Sequence, residues 1–90
     1  MKPDIQNIIK FIIHSLPEDS IVKRNLENIN SGKWRSRAYY QFIDSAHPNT
    51  PGSKWIFKEN IILEHPQSGT IVLDILEKDQ PGGIEFYELI

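Results

Sequence analysis

The spacing of apolar residues in this 90-residue chain changes once, near Gly32, and that change constrains the fold more than any motif does. Before Gly32 the apolar residues recur about every 3.6 positions, as in an α-helix, and after it they mostly alternate with polar residues, as in a β-strand. Helices followed by strands joined through short turns are typical of an α+β domain with an antiparallel sheet. The sequence therefore predicts a single α+β domain over residues 1–90.

Two helices are predicted in the first third of the chain, over residues 4–15 and 18–30. Pro17 ends the first, because proline disfavours helical geometry in the residue before it. Each helix has one apolar stripe that a sheet could cover. The stripes consist of Ile5, Ile8, Ile9, Ile12, Ile13 and Leu16 in the first helix and of Val22, Leu26 and Ile29 in the second.

Four strands are predicted in the rest of the chain. Three of them follow one another in the last part of the sequence as WIFKENIILEH, TIVLDILE and IEFYELI, with the turn sequences HPQSG and KDQPGG between them. Short turns between successive strands imply antiparallel pairing. Residues 34–45 are rich in aromatic residues and favour a further strand, with a helix as the alternative. The predicted architecture is two N-terminal helices packed on one face of a four-stranded antiparallel meander sheet.

The sheet face turned away from the helices, called the outer face below, is predicted to bind a partner. Two helices of this length cover only one face, and an exposed apolar surface usually marks an interface. Self-association as a homodimer or a complex with another protein would bury this face, while a loop over residues 47–53 or one helix folding onto it is the alternative. The predicted partner-binding residues are Glu64, Val72, Asp74, Leu76, Glu85 and Tyr87, flanked by Ile56 and Ile62, with Trp55 a further anchor if it is exposed.

The charge of the chain is uneven. The formal net charge is −2, but residues 1–58 hold nine Lys and Arg against five Asp and Glu, while residues 59–90 hold one Lys against seven Asp and Glu. Such a split can mark a surface for a charged partner, although small proteins also show it by chance. The first residues lack the pattern of a secretory signal and the chain has no cysteine, so we expect a cytoplasmic protein.

Candidate groups for chemistry are few. His47 and His65 each precede a proline and lie near a carboxylate in the sequence, but we expect both to be loop residues. The ligands available to a metal are Asp44, His47, Glu64, His65 and Asp74, and none of them has the spacing of a known metal motif. The sequence therefore predicts no enzymatic activity, no metal and no cofactor.

The segment from Lys33 to Tyr40 is the best candidate for nucleic-acid binding. Its basic side chains can neutralise phosphates, and its aromatic rings can stack on unpaired bases. On one strand, Arg35, Arg37 and Tyr39 would share a face. The footprint is small and the rest of the chain is acidic, so this function is the alternative to protein binding.

In size, acidity and lack of catalytic motifs the chain is similar to small bacterial proteins that bind another protein, such as the immunity proteins paired with toxins. The resemblance implies a protein-binding module that neutralises a toxin, for instance a basic nuclease, by direct contact. It assigns a role to no particular residue. Acidic side chains would speed the encounter with a basic cleft and could take the place of phosphates there.

Overall fold

The computed structural model describes residues 3–29, 32–43 and 56–89. Two helices are followed by five strands, which confirms the predicted α+β class. The elements are α1 (Ile5–Ser15), α2 (Ile21–Glu27), β1 (Lys33–Ser36), β2 (Tyr39–Gln41), β3 (Phe57–His65), β4 (Gly69–Leu76) and β5 (Gln80–Phe86), with 3₁₀ turns at Glu77–Asp79 and Tyr87–Leu89.

Both helices begin at a side-chain cap. The carboxylate of Asp4 accepts hydrogen bonds from the backbone N–H groups of Gln6 and Asn7, and the hydroxyl of Ser20 accepts one from the N–H of Lys23. Such caps satisfy amide groups that have no partner within the helix. The second helix is shorter than the predicted span of 18–30, because it begins after its cap at Ser20 and ends at Glu27. Neither helix has the length and apolar character that a membrane span would require, over the residues described.

The sheet is antiparallel, and its strands lie in the order β1-β2-β5-β4-β3. The prediction of four strands is therefore wrong in the number of strands. The last three strands do follow one another as a meander. Of the two strands before them, β2 pairs with β5 rather than with β3, and β1 pairs with β2, so that β5 is the central strand and β3 lies at one edge.

The extra strand arises because residues 33–41 fold back on themselves. Trp34 lies opposite Tyr40, and the turn between the two strands consists of Arg37 and Ala38. The hydroxyl of Ser36 accepts a hydrogen bond of 3.2 Å from the N–H of Ala38, a contact that favours a turn. Arg37 therefore lies in a turn. The prediction that Arg35, Arg37 and Tyr39 share one strand face is wrong.

The turn before β5 lies earlier than the KDQPGG sequence suggests. The chain reverses at Glu77–Asp79, where Lys78 and Asp79 have φ angles of 65° and 58°. The following Pro81 and the two glycines already belong to β5. Gly82 has no partner in β4 and forms a bulge, which is how a central strand accommodates a proline that lacks an N–H.

The core lies between the two helices and the inner face of the sheet. Its strand residues alternate along β4 and β5, as the period of two requires. Burial of each large apolar side chain contributes roughly 1.5–3 kcal/mol relative to an exposed position. The buried core consists of Ile8, Ile12, Val22, Leu26, Phe42, Ile71, Leu73, Ile75, Ile84 and Phe86, with Trp34 and Tyr40 packed against it.

Candidate functional site

Two rows of side chains cross the outer face from β3 to β2. The cross-strand partners of the first row are Ile62, Val72, Glu85 and Tyr39, and those of the second are Asn60, Asp74, Gly83 and Gln41. These positions alternate with the core residues of the same strands, so they point away from the helices. Asp74 and Glu85 are diagonal neighbours on adjacent strands, within reach of one another.

The ring of Tyr39 lies over the backbone of Gly83. A Cβ atom at position 83 would lie only 2.6 Å from Tyr39 Cζ, so no other residue fits there without moving the ring. The missing side chain lets the phenol lean from the first row into the second. Its hydroxyl end is thereby brought towards Asp74, whose charge raises the pKa of this phenol.

Asp74 and Glu85 form a carboxyl pair that holds a proton near neutral pH. Burial, the negative charge of Glu85 and a hydrogen bond to Glu85, in that order, raise the pKa of Asp74 from 3.8 to about 7. Two adjacent carboxyl groups in a half-buried site do not both ionise readily. The pair therefore carries less negative charge at neutral pH than its two residues would carry in water.

The same surroundings raise the pKa of the Tyr39 phenol from 10.0 to about 12. Burial is the main cause, followed by the charges of Asp74 and Glu85, while Arg35 acts in the opposite direction. Arg35 is held nearby, because its Nε–H donates a hydrogen bond to Oε1 of Gln41. The Tyr39 hydroxyl therefore stays protonated at physiological pH and is available as a hydrogen-bond donor.

These side chains border a shallow cavity of about 590 Å³, called the cleft below. It brings together residues from the two rival predictions, with Arg37 and Tyr39 from the nucleic-acid set and Asp74 and Glu85 from the protein-binding set. Chemically, it offers a carboxyl pair that holds a proton near neutral pH, a phenol and a guanidinium beside apolar walls. The lining consists of Ser36, Arg37, Ala38, Tyr39, Asp74, Glu85 and Leu89.

Two residues predicted to form an exposed apolar contact surface are buried instead. Val72 is 8% exposed and Leu76 is 4% exposed. Leu76 lies over Gly82, where an added Cβ would come within 3.0 Å of its Cγ. The bulge at this glycine therefore makes room for a side chain that the alternation alone would leave on the surface. The prediction that these two residues are exposed is wrong, although Ile62 in the first row is 65% exposed.

The remaining predicted partner-binding residues lie around the cleft rather than in it. Tyr87 is 63% exposed and begins the 3₁₀ turn after β5, not the strand itself. Glu64 is exposed at the far end of β3, where its carboxylate accepts hydrogen bonds from the hydroxyl of Thr70. Trp55 lies outside the described residues.

His65 has a structural role. Its Nδ1 accepts hydrogen bonds from the N–H groups of Gln67 and Ser68, at 3.1 and 3.0 Å, and its ring packs edge-on against Phe11. These contacts hold the turn between β3 and β4 and explain why the ring is only 7% exposed. His47 and Asp44 lie outside the described residues, among which there is no cluster suited to a metal ion.

Sequence reasoning placed Asp74 and Glu85 on the outer face but did not predict their contact with Tyr39. The missed signal is Gly83, which was assigned to a turn although it opens the space for the phenol. Fold and cleft together define a small α+β protein with helices on one face of a five-stranded antiparallel sheet. Comparison with protein-family models, curated proteins and solved structures finds no match to this chain.

Proposed function

We propose that this chain is a protein-binding module whose partner inserts a basic side chain into the cleft. The carboxyl pair of Asp74 and Glu85 is the observation that carries the proposal. Two acids lie together in a half-buried site, and although Arg37 also lines the cleft, the causes of the raised pKa of Asp74 include no cation. A lysine or arginine from a partner would supply the missing positive charge and ionise the pair.

Two other carboxylates of the described chain already have a lysine as partner. Glu18 is paired with Lys23 at 3.0 Å, and Asp79 is paired with Lys58 at 2.5 Å. Neither ion pair includes the cleft residues. The cleft is therefore an acidic position at which binding a cation has a direct electrostatic benefit.

The surroundings of the cleft suit a protein partner. Tyr39 and Leu89 form part of its walls, and Tyr87 and Ile62 are exposed on neighbouring parts of the sheet. Tyrosine is enriched at energetically important interface positions, because its ring adds contact area and its hydroxyl adds a hydrogen bond. A basic side chain in the cleft with apolar contacts around it would form a small interface core with a polar rim.

An inhibitor of a basic protein, such as a bacterial immunity protein that neutralises a nuclease toxin, is the kind of module that we propose. The acidic half of the chain supports this choice, because it would steer a basic partner towards the cleft. The nucleic-acid alternative is less well supported. A phosphate near Arg37 and Tyr39 would also meet Asp74 and Glu85, and Trp34 packs against Phe86 in the core instead of facing a base.

We further propose that the chain is not an enzyme. A carboxyl pair that holds a proton near neutrality is also what general acid–base catalysis uses, so the cleft itself is the feature to test. The cleft is shallow, however, and catalytic sites usually exclude water around the reacting groups. Hydrolytic activity of the purified chain that disappears in the Asp74→Asn variant would contradict this part of the proposal.

The binding function is tested with a tagged chain and extracts of its source cell. The wild type should retain a basic protein, and the double variant Asp74→Asn, Glu85→Gln should retain far less of it. Loss of charged partners for a buried cation costs about 2 kcal/mol or more, which weakens binding roughly thirtyfold. Titration of the purified partner against both proteins measures this change.

A matched control removes two carboxylates elsewhere. The double variant Glu18→Gln, Asp19→Asn has the same formal net charge as the cleft variant, but its changes lie in the turn between the helices. It should bind the partner as the wild type does. Equal weakening by both variants would show that net charge acts without the cleft, and recovery of nucleic acid without protein would favour the alternative.

A further inference from the structure

The two edges of the sheet differ in how well they are protected from pairing with another strand. At one edge, β1 is short and interrupted by a bulge between Trp34 and Ser36. At the other edge, β3 is the longest of the described strands, and β4 is its only neighbour among them. Short strands, bulges and charges are the usual means of blocking an edge. By this measure β1 is blocked.

From Glu59 to His65, β3 is neither short nor bulged, and its carboxylates, Glu59 and Glu64, lie near the two ends of this stretch. Its register with β4 is regular over this stretch, and its bulge lies before it, between Phe57 and Glu59. Within this stretch Ile62 is 65% exposed, and just before it Ile56 and Phe57 are 39% and 40% exposed. A long, regular and apolar edge strand presents a row of backbone groups ready to pair.

We propose that this edge binds a second copy of the chain, with β3 of each copy pairing antiparallel about a two-fold axis at Ile62. In an antiparallel pair of identical strands, the position of the two-fold axis determines which residue of one copy lies opposite which residue of the other. With the axis at Ile62, this residue faces its own copy, and the pairs on either side are Ile61 with Leu63, Asn60 with Glu64, and Glu59 with His65.

The central cross-strand pairs, from Asn60 to Glu64, are favourable. The two Ile62 side chains meet on the outer face, and Ile61 and Leu63 extend the apolar inner face. The Asn60 amide can donate to the Glu64 carboxylate. The outermost pair, Glu59 with His65, adds no contact, because the His65 side chain is already held by its own turn and by Phe11. Favourable cross-strand pairs contribute roughly 0.2–1 kcal/mol each, and the two-fold axis doubles every pair except the central one.

Neighbouring positions of the axis are less favourable. An axis at Ile61 would place Glu59 opposite Leu63 and Asn60 opposite Ile62, so that polar and apolar side chains face each other. An axis at Leu63 would place Ile62 opposite Glu64. This self-complementary order of residues favours a second copy as the occupant, because pairing with itself places like side chains opposite each other without requiring a matching sequence in another protein.

The proposed dimer differs from one formed through the outer face, and it does not depend on the proposed function. An outer-face dimer would bring the carboxyl pairs of the two copies together, and Val72 and Leu76 are already buried. Pairing at the edge joins the two five-stranded sheets into one continuous sheet. Because the two-fold axis is perpendicular to the sheet, both sets of helices lie on one side and both clefts on the other.

Sedimentation across a concentration series provides the first test. The wild type should pass from monomer to dimer, and the Ile62→Lys variant should raise the dissociation constant about tenfold or more, since two lysines would meet at the axis. The control is Ile21→Lys, an equally apolar exposed residue in α2 that is 53% exposed. A wild type that stays monomeric up to millimolar concentration overturns the proposal, as does equal weakening by both variants.

Cysteine cross-linking tests the register itself, in a chain that has no natural cysteine. Opposed residues in an antiparallel pair lie about 4.5–5.5 Å apart at Cα, which a disulfide can span. Ile62→Cys should form a covalent dimer, and a mixture of Asn60→Cys with Glu64→Cys should form a mixed dimer more readily than either alone. Cross-linking of Ile21→Cys to the same extent, or preference for another pair of positions, contradicts the proposed register.

Discussion

The phenol of Tyr39 occupies the space that a side chain at position 83 would fill, so the conformation of Tyr39 depends on Gly83 being a glycine. The two residues are diagonal neighbours on β2 and β5. Because the ring lies over the glycine, its hydroxyl is half-buried beside the carboxyl pair.

Substitution of Gly83 by alanine should therefore displace Tyr39. We expect a cost of about 1–3 kcal/mol in the free energy of unfolding, because the added methyl group overlaps the ring. The pKa of Tyr39 should fall from about 12 towards 10.0 as the phenol becomes exposed. Urea denaturation measures the first effect, and the ultraviolet absorbance of the phenolate measures the second.

A double-mutant cycle checks the cause. In a Tyr39→Ala background, the Gly83→Ala change should cost clearly less, because no ring remains to be displaced. An equal cost in both backgrounds would mean that the effect arises from the backbone at position 83 instead.

The carboxyl pair predicts a specific dependence of stability on pH. Between 3.8 and about 7 the folded chain binds more protons at Asp74 than the unfolded chain does, so the free energy of unfolding should fall as the pH rises through this window. Partial exposure of Asp74 to solvent screens the effect, and we expect its titration to lower the free energy of unfolding by about 1–2 kcal/mol. The Asp74→Asn variant, which cannot ionise, should lose this slope and be more stable than the wild type at pH 8.

Urea denaturation of both proteins across this pH range measures the difference between them. Glu64→Gln is the control, since Glu64 is exposed on the neighbouring strand and its pair with Thr70 does not involve another acid. A wild type and an Asp74→Asn variant with parallel pH profiles would show that Asp74 titrates normally in the folded chain.

A hydrogen bond between α2 and the turn before β5 should contribute measurably to stability. Asn25 Nδ2 donates to the backbone oxygen of Asp79 at 2.9 Å, in the turn where Lys78 and Asp79 have positive φ angles. Asn25→Ala leaves that oxygen without this partner, and we expect a loss of about 1 kcal/mol. Asn28→Ala is the control, because its amide bonds only to Arg24 within the exposed end of the helix. The Asn28→Ala change should lower the free energy of unfolding by clearly less.

The core and the outer face should respond differently to truncation. Leu73 is fully buried between the sheet and the helices, and Ile62 on the neighbouring strand is 65% exposed. Leu73→Ala should cost about 2–5 kcal/mol, because it removes apolar contacts and leaves a cavity. Ile62→Ala should cost less than 1 kcal/mol in the monomer. Similar losses of unfolding free energy in the two variants, measured at low protein concentration, would contradict the assignment of the two faces.

The helices and the core strands could be predicted because local patterns specify them. The stripe that includes Ile8, Ile12 and Leu26 identifies the buried side of each helix, and the alternation around Leu73 and Ile84 identifies the inner face of the sheet. The same alternation correctly placed Asp74 and Glu85 on the outer face. Periodicity says which side of a strand is buried, but it does not say which strand is the neighbour.

The pairing of β2 with β5 and the cleft were therefore beyond sequence reasoning. Tyr39 was assigned to a nucleic-acid site because its neighbours in the sequence are basic, whereas its neighbours in space are Asp74 and Glu85. Gly83 was assigned to a turn because prolines and glycines usually mark one, whereas here they form a bulged central strand. In both cases a contact between distant parts of the chain decides the outcome.

The strand order also implies the order in which the molecule folds. The pairs β3–β4 and β4–β5 join segments that follow each other directly, so their loops close at low entropic cost. The pair β2–β5 joins distant segments and, by the relation between contact order and rate, should form late. Since Tyr39 meets the carboxyl pair only after this last pairing, a partially folded chain would have its meander sheet but not its cleft.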